Sequence, residues 1–169
     1  RLLLVERFDP ISAIESIQKH QATIVTGPPT MWAAWAGLPE APEHAFDSVR
    51  LAVSGAARLP DEVARTMQRR YDVHLTEGYG LTEASPVVTS AVGTDAPVGS
   101  VGVPVPGLEL RLVDEDGDDV LIGDSGELWV RGPGVLKGYW NAPEATADTV
   151  TSDGWLRTGD LARRGPLGS

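Results

Sequence analysis

The stretch VRLAVSGAARLPDEVARTMQRRYDVHLTEGYG, residues 49–80, decides the fold. Val49 to Val53 is a short β-rich run that ends in the small residues Ser54-Gly55-Ala56-Ala57. Pro60 opens a segment in which Val63, Met67 and Tyr71 recur opposite Arg65 and Arg69, the pattern of one apolar helix face. Val73 to Leu75 is the next strand and runs into Glu77-Gly78-Tyr79-Gly80. Strands separated by helices imply a parallel sheet with crossovers. In open α/β sheets ligands bind beyond the carboxyl ends of the strands, where both glycine-bearing turns, 54–57 and 77–80, fall.

The same alternation extends toward Arg1. Asp9 is a helix cap and Pro10 fits the first helical position, after which Ile11, Ile14 and Ile17 recur at helical spacing up to His20. Ala22 to Val25 reads as a strand stopped by Gly27-Pro28-Pro29, and Met31 to Ala36 as a second helix whose Trp32 and Trp35 belong to the core. From about Pro97 the period changes to two. Leu108, Leu110 and Leu112 alternate with Glu109 and Arg111, and Leu128 and Val130 alternate with Glu127, Trp129 and Arg131. This predicts antiparallel hairpins and, with glycine and proline punctuation, a small barrel or sandwich. The expected fold is α/β: a partial parallel α/β subdomain over 1–92, then a small antiparallel β-barrel subdomain over 93–164. Both ends read as cut from a longer chain, and Gly165-Pro166-Leu167-Gly168-Ser169 as an appended tail outside the fold.

Composition excludes several functional classes. A chain of 169 residues with 41% apolar residues and 19 glycines can bury a core unaided. A net charge of −10 argues against wrapping nucleic acid or docking on anionic lipid. No apolar run approaches about 18 residues, so no membrane span is expected. The chain has no cysteine, which removes disulfides, thiolate nucleophiles and cysteine-bound zinc. A cytoplasmic location is the expectation.

Some motifs mislead. Gly123-Asp124-Ser125-Gly126 copies a serine-protease nucleophile segment but falls in an expected turn with no histidine after it. The run Asp114-Glu115-Asp116-Gly117-Asp118-Asp119 has its glycine at position four, where a calcium loop needs it at six, and reads as a solvated hairpin tip. Gly78-Tyr79-Gly80 lacks the third glycine of a dinucleotide fingerprint, and there is no GxxxxGK[ST] loop.

The segment Glu77-Gly78-Tyr79-Gly80-Leu81-Thr82-Glu83 remains. Its glycines permit close backbone approach to a ligand, and Tyr79 offers a flat face for a purine. Thr82 offers a hydroxyl to a phosphoryl oxygen. Glu83 offers a hard carboxylate of the kind Mg²⁺ takes alongside phosphates. The alternative reading is a glycine-rich turn with surface polar residues.

These residues, with three further stretches, resemble the adenylate-forming superfamily of acyl-CoA synthetases, luciferases and nonribosomal adenylation domains. Glu77–Glu83 is similar to its GYGxTE motif, and Ser54-Gly55-Ala56-Ala57 to its small-residue adenine turn. Gly126-Glu127-Leu128, Arg131-Gly132, Lys137-Gly138-Tyr139-Trp140, Pro143 and Thr146 resemble its GEL…RG…GY…P..T stretch. Trp155-Leu156-Arg157-Thr158-Gly159-Asp160 resembles W.RTGD, and the likeness covers essentially residues 1–164. It implies a part of an ATP-dependent carboxylate–CoA ligase of the fatty acyl-CoA synthetase type. Tyr79 would then stack on adenine with Gly55, Ala56 and Gly78 lining its edge, Glu77 and Gly80 would belong to the same nucleotide site, and Gly78, Gly80 and Leu81 would also border the acyl pocket. Thr82 would contact the α-phosphate, Glu83 would help to hold Mg²⁺, and Asp160, otherwise a capping or turn residue, would take the ribose hydroxyls. Tyr79 and Asp160 must in that case face a shared cleft. Arg131 and Tyr139 are expected as scaffold. The implied ligands are ATP or AMP, Mg²⁺, a fatty or aryl acid, and coenzyme A as co-substrate.

The sequence also departs from the family. Its phosphate loop and its C-terminal lid domain with the adenylation lysine have no counterpart here; Lys19 and Lys137 match neither role. Arg58 stands where many members have proline. The fragment alone is therefore expected not to catalyse adenylation. Gly80-Leu81-Thr82-Glu83 resembles fatty or aryl CoA ligases more than the YGPTE of peptide-synthetase domains, and Gly78 stands where malonate-type ligases often carry arginine. The alternatives are a non-catalytic nucleotide-binding module and a peptide-synthetase adenylation fragment.

Overall fold

The computed structural model describes residues 1–42, 44–97 and 99–165, so most of the expected tail lies outside the described residues. The chain divides into two compact units, Arg1–Glu77 and Gly78–Ser169. This boundary lies ahead of the change of hydrophobic period near residue 92.

The first unit is built as the β–α–β pattern requires. Helix α1, Pro10–His20, starts where Asp9 accepts the Ser12 amide at 2.9 Å, and Pro10 supplies the preset φ of a first helical residue. Its buried face is Ala13, Ile14 and Ile17; Ile11, expected on that stripe, is exposed because it lies about 60° beyond Ile14, outside that face. Strand β1 (Ile24–Gly27) leads to helix α2 (Pro29–Ala36), which begins two residues earlier than its apolar pattern suggests because Pro29 fits the first turn. Strand β2 (Leu51–Ser54), helix α3 (Asp61–Tyr71) and strand β3 (Leu75–Gly80) follow. β1 pairs parallel with β2, and β2 pairs parallel with β3 through Ala52–Leu75, Val53–Thr76 and Ser54–Glu77.

The tryptophans form the centre of this core. Trp35 packs edge-on against Phe8, Trp32 and Phe46 at ring separations of 5.4, 5.1 and 5.2 Å, and Phe46 meets Tyr71 at 5.2 Å. Their polar ends are satisfied: Trp32 donates to the Gly27 carbonyl at 3.2 Å and Trp35 to that of Pro10 at 2.9 Å. Met67 of α3 is buried in the same cluster, while Arg65 and Arg69 pair with Asp61 and Glu62 at the surface.

In the second unit Gly78 and Tyr79 of β3 pair antiparallel with Ser90 and Thr89 of β4 (Val87–Ser90), and β4 pairs with β5 (Val103–Pro104). A second sheet joins β6 (Glu109–Val113), β7 (Ser125–Arg131) and β8 (Leu156–Arg163), all antiparallel and in that order. Among the described residues this sheet is open and three-stranded, so the α/β fold carries an antiparallel sheet here in place of a closed barrel. A short helix α4, Pro143–Thr149, precedes β8. Ala84, Val88, Leu128, Val130 and Leu156 form the buried cluster, with Tyr79 and Leu81 packed on it. Arg131 lies over Trp155 at 4.5 Å and pairs with Glu109 at 2.7 Å. The protease-like stretch is half turn, Gly123-Asp124, and half strand, since Ser125 opens β7 opposite Arg163; the acidic run is a turn in which Asp114 accepts the amides of Asp116 and Asp118, each at 3.0 Å.

Candidate adenylate-binding site

The site grows from the end of β3. The strand begins at Leu75, where the apolar run Val73 to Leu75 predicts its end, and runs through Glu77-Gly78-Tyr79-Gly80, so Val73 and His74 lie ahead of it. Gly78 and Gly80 carry no side chain because β4 passes too close. A Cβ on Gly80 would lie 2.0 Å from the Pro86 carbonyl oxygen, and one on Gly78 would lie 2.9 Å from that of Thr89. The register shifts between Tyr79 and Gly80, after which the ladder closes with Gly80 opposite Val87. The chain then turns into a single 3-10 turn, Thr82–Ala84, closed by a Leu81 amide bond to the Pro86 carbonyl at 2.8 Å. That turn carries the exposed Thr82 and the half-buried Glu83.

Tyr79 and Asp160 meet. The Tyr79 hydroxyl donates to Oδ2 of Asp160 at 2.5 Å, across 81 positions of sequence. Burial, reinforced by the Asp160 carboxylate, pushes the Tyr79 phenol up to about 12 from its ordinary 10.0. The residues before Asp160 are fixed in turn. Thr158 donates to the Leu128 carbonyl at 2.7 Å and accepts the Asp160 amide at 3.1 Å, and the Gly159 amide donates to Glu127 at 2.9 Å. The W.RTGD stretch is thus tied to β7, with Trp155 and Leu156 buried beneath it.

Glu83 has a partner that the sequence reading did not assign. The Tyr139 hydroxyl, expected only as scaffold, donates to Oε1 of Glu83 at 2.9 Å. That bond raises the Tyr139 phenol above its ordinary 10.0. Nothing local announces a contact spanning 56 positions; its only signal is the Lys137-Gly138-Tyr139-Trp140 stretch itself.

Gly55, Ala56 and Glu77 belong to the first unit. Ala56 holds a left-handed φ of 69° in the turn after β2, and Glu77 accepts the Leu59 amide at 3.1 Å, so it braces the loop that follows that turn. Ser54, at the end of β2, is buried, and its hydroxyl has no hydrogen-bond partner among the described residues. The second unit brings together Tyr79, Asp160, Glu83 and Tyr139 as two hydroxyl–carboxylate pairs. Among the described residues no group of three or more His, Cys, Asp or Glu side chains could hold a metal unaided, and no helix is long and apolar enough to cross a membrane.

Comparison with known proteins gives this arrangement its class. A malonyl-CoA ligase solved as a ternary product complex with methylmalonyl-CoA and AMP superposes with a TM-score of 0.85 at 40% identity, over 96% of this chain and 35% of that one. The fold is therefore the α/β fold of the adenylate-forming enzymes. The family model for AMP-binding enzymes matches residues 1–140, and the chain belongs to that family. It is 42% identical over 162 residues to a long-chain-fatty-acid–CoA ligase of Yersinia pestis, and 38% identical over 160 residues to a benzoate–CoA ligase of Thauera aromatica. Those alignments take in 95% and 94% of this chain but only 29% and 30% of the relatives. The chain thus spans less than a third of the length of these ligases.

Proposed function

We propose that this chain carries the adenosine-recognition part of an ATP-dependent carboxylate–CoA ligase. The observation that supports this most is the pairing of Tyr79 with Asp160: an aromatic face and a carboxylate acceptor, 81 positions apart in sequence, are joined at one place. The face of Tyr79 stacks on adenine, and Asp160 accepts hydrogen bonds from the ribose hydroxyls. Gly78, beside Tyr79 on the same strand, borders the base. Thr82 donates its hydroxyl to an α-phosphate oxygen. The relatives are named for acids as different as long-chain fatty acids and benzoate, which supports the shared chemistry of acid, ATP and coenzyme A.

In that reaction the substrate carboxylate attacks the α-phosphorus, the bond to the β-phosphate oxygen breaks, and pyrophosphate leaves. The thiol sulfur of coenzyme A then attacks the acyl carbonyl and AMP leaves. Catalysis of this kind is positioning and electrostatic stabilisation of phosphoryl oxygens. The donor set fits Mg²⁺ in the manner it favours with nucleotides: Glu83 gives one hard carboxylate, and the phosphates supply further oxygens. Mg²⁺ would neutralise charge on those oxygens. The chain's own residues orient the nucleotide.

Titration of the chain with AMP, ATP and a non-hydrolysable acyl-adenylate, followed by NMR, tests the reading. Weak adenylate binding with no acyl-adenylate formation is expected. Absence of any binding at millimolar nucleotide would overturn the reading, and tight binding of one nucleotide alone would favour a dedicated nucleotide-binding module.

A further inference from the structure

The segment from Gly132 to Tyr139 grips Glu83 at two points. The Tyr139 hydroxyl donates to the side-chain oxygen Oε1 at 2.9 Å, and the Leu136 amide donates to the backbone carbonyl of the same residue at 2.8 Å. Tyr139 is itself held. Its amide donates to Oγ1 of Thr146 at 2.9 Å, and that hydroxyl donates to the Ala142 carbonyl, also at 2.9 Å. A Cβ on Gly138 would lie 2.9 Å from the Thr146 methyl carbon, so the close seating of this loop on α4 requires glycine there. Thr146 thus fixes Tyr139, and Tyr139 fixes the carboxylate.

We propose that Tyr139 is a positioning residue for the metal–nucleotide complex: it occupies Oε1 of Glu83 and leaves Oε2 as the ligating oxygen. This rests on the nucleotide reading above. A partly exposed glutamate on a 3-10 turn, if unpartnered, samples several rotamers, and ordering it on binding costs entropy. The tyrosine carries that ordering in advance. A hydroxyl donor to one carboxylate oxygen is the same device by which outer partners orient ligands in metalloprotein sites.

The test uses Mn²⁺ with ATP as the probe and proton relaxation enhancement of the ternary complex as the readout. It is set against metal-free AMP affinity measured by NMR shifts on the same samples. Tyr139→Phe is expected to weaken Mn²⁺–ATP binding about five- to tenfold, and to do so at least about threefold more than it weakens AMP binding. Thr146→Val, which reaches Glu83 only through Tyr139, is expected to give a smaller loss in the same direction and stands in if Tyr139→Phe does not fold. Equal losses for both ligands would make Tyr139 merely structural and overturn the proposal, as would no loss for either. If the parent chain binds neither ligand, the nucleotide reading itself falls and takes this inference with it; if it binds both and the variants do not differ, only this inference falls.

Discussion

Replacing Tyr79 by phenylalanine removes one oxygen and leaves the aromatic face. That oxygen donates to Asp160 at 2.5 Å, and the folded chain holds its proton to about 12 where an ordinary tyrosine loses it near 10.0. At about 1.36 kcal/mol per pH unit, two units correspond to about 2.7 kcal/mol. Burial is the largest cause of that rise and gives the neutral phenol no stability, and Asp160 is exposed to solvent, so the hydrogen bond itself contributes only about 1 kcal/mol. Because the folded-state pKa is raised, the contribution is fully present below pH 10. It is lost as the pH rises above 10, as the unfolded chain ionises first and the folded chain follows. Urea unfolding of the parent and of Tyr79→Phe should therefore differ by about 1 kcal/mol at pH 7 to 9, or about 2–4 °C in Tm, and the gap should close as the pH rises from 10 to about 11. Tyrosinate absorbance gives an independent check: of three tyrosines, the variant should lose the step near 12. A stability gap unchanged above pH 11, or a step near 12 that survives the substitution, would refute the reasoning.

Three further outcomes follow from the packing. Trp35→Ala removes the ring shared by Phe8, Trp32 and Phe46, and should cost about 3–5 kcal/mol in urea unfolding; a loss under about 1.5 kcal/mol would contradict the central place of that ring. Gly80→Ala places a methyl 2.0 Å from the Pro86 oxygen, so the Leu81–Pro86 hydrogen bond should open and Leu81 amide exchange should rise at least about tenfold. Glu77→Ala leaves the Leu59 amide without its acceptor, and should cost about 1 kcal/mol together with faster exchange at Leu59; unchanged exchange there would show that the brace is not formed in solution.

The readable parts of this fold are those where one residue's neighbours in sequence are also its neighbours in space. Asp9 and Pro10 set the start of α1 from within its own first turn, and Val63, Met67 and Tyr71 lie on one helix face by spacing alone. The alternation at Leu108–Leu112 and Leu128–Val130 likewise gives β6 and β7. The glycines at 78 and 80 were legible as close-approach positions, but the approaching group within this chain is β4, which local pattern does not reveal. Strand β4 has no alternating burial, so the change of unit at Glu77 precedes the visible change of period. Helix α4 was hidden because only Pro143 and Thr146 stood out in a short, polar segment with no buried face. Of the candidate site, Tyr79 and Asp160 could be named from motifs, whereas the link between Tyr139 and Glu83 is purely tertiary.

The most direct test of the adenosine cradle is an AMP titration followed by NMR of the Tyr79 ring and the Asp160 amide. The account predicts that both signals move together with one midpoint, and that a ribose lacking its 2′-hydroxyl weakens the response at Asp160 more than at Tyr79. Nucleotide binding that saturates while neither signal moves would contradict it.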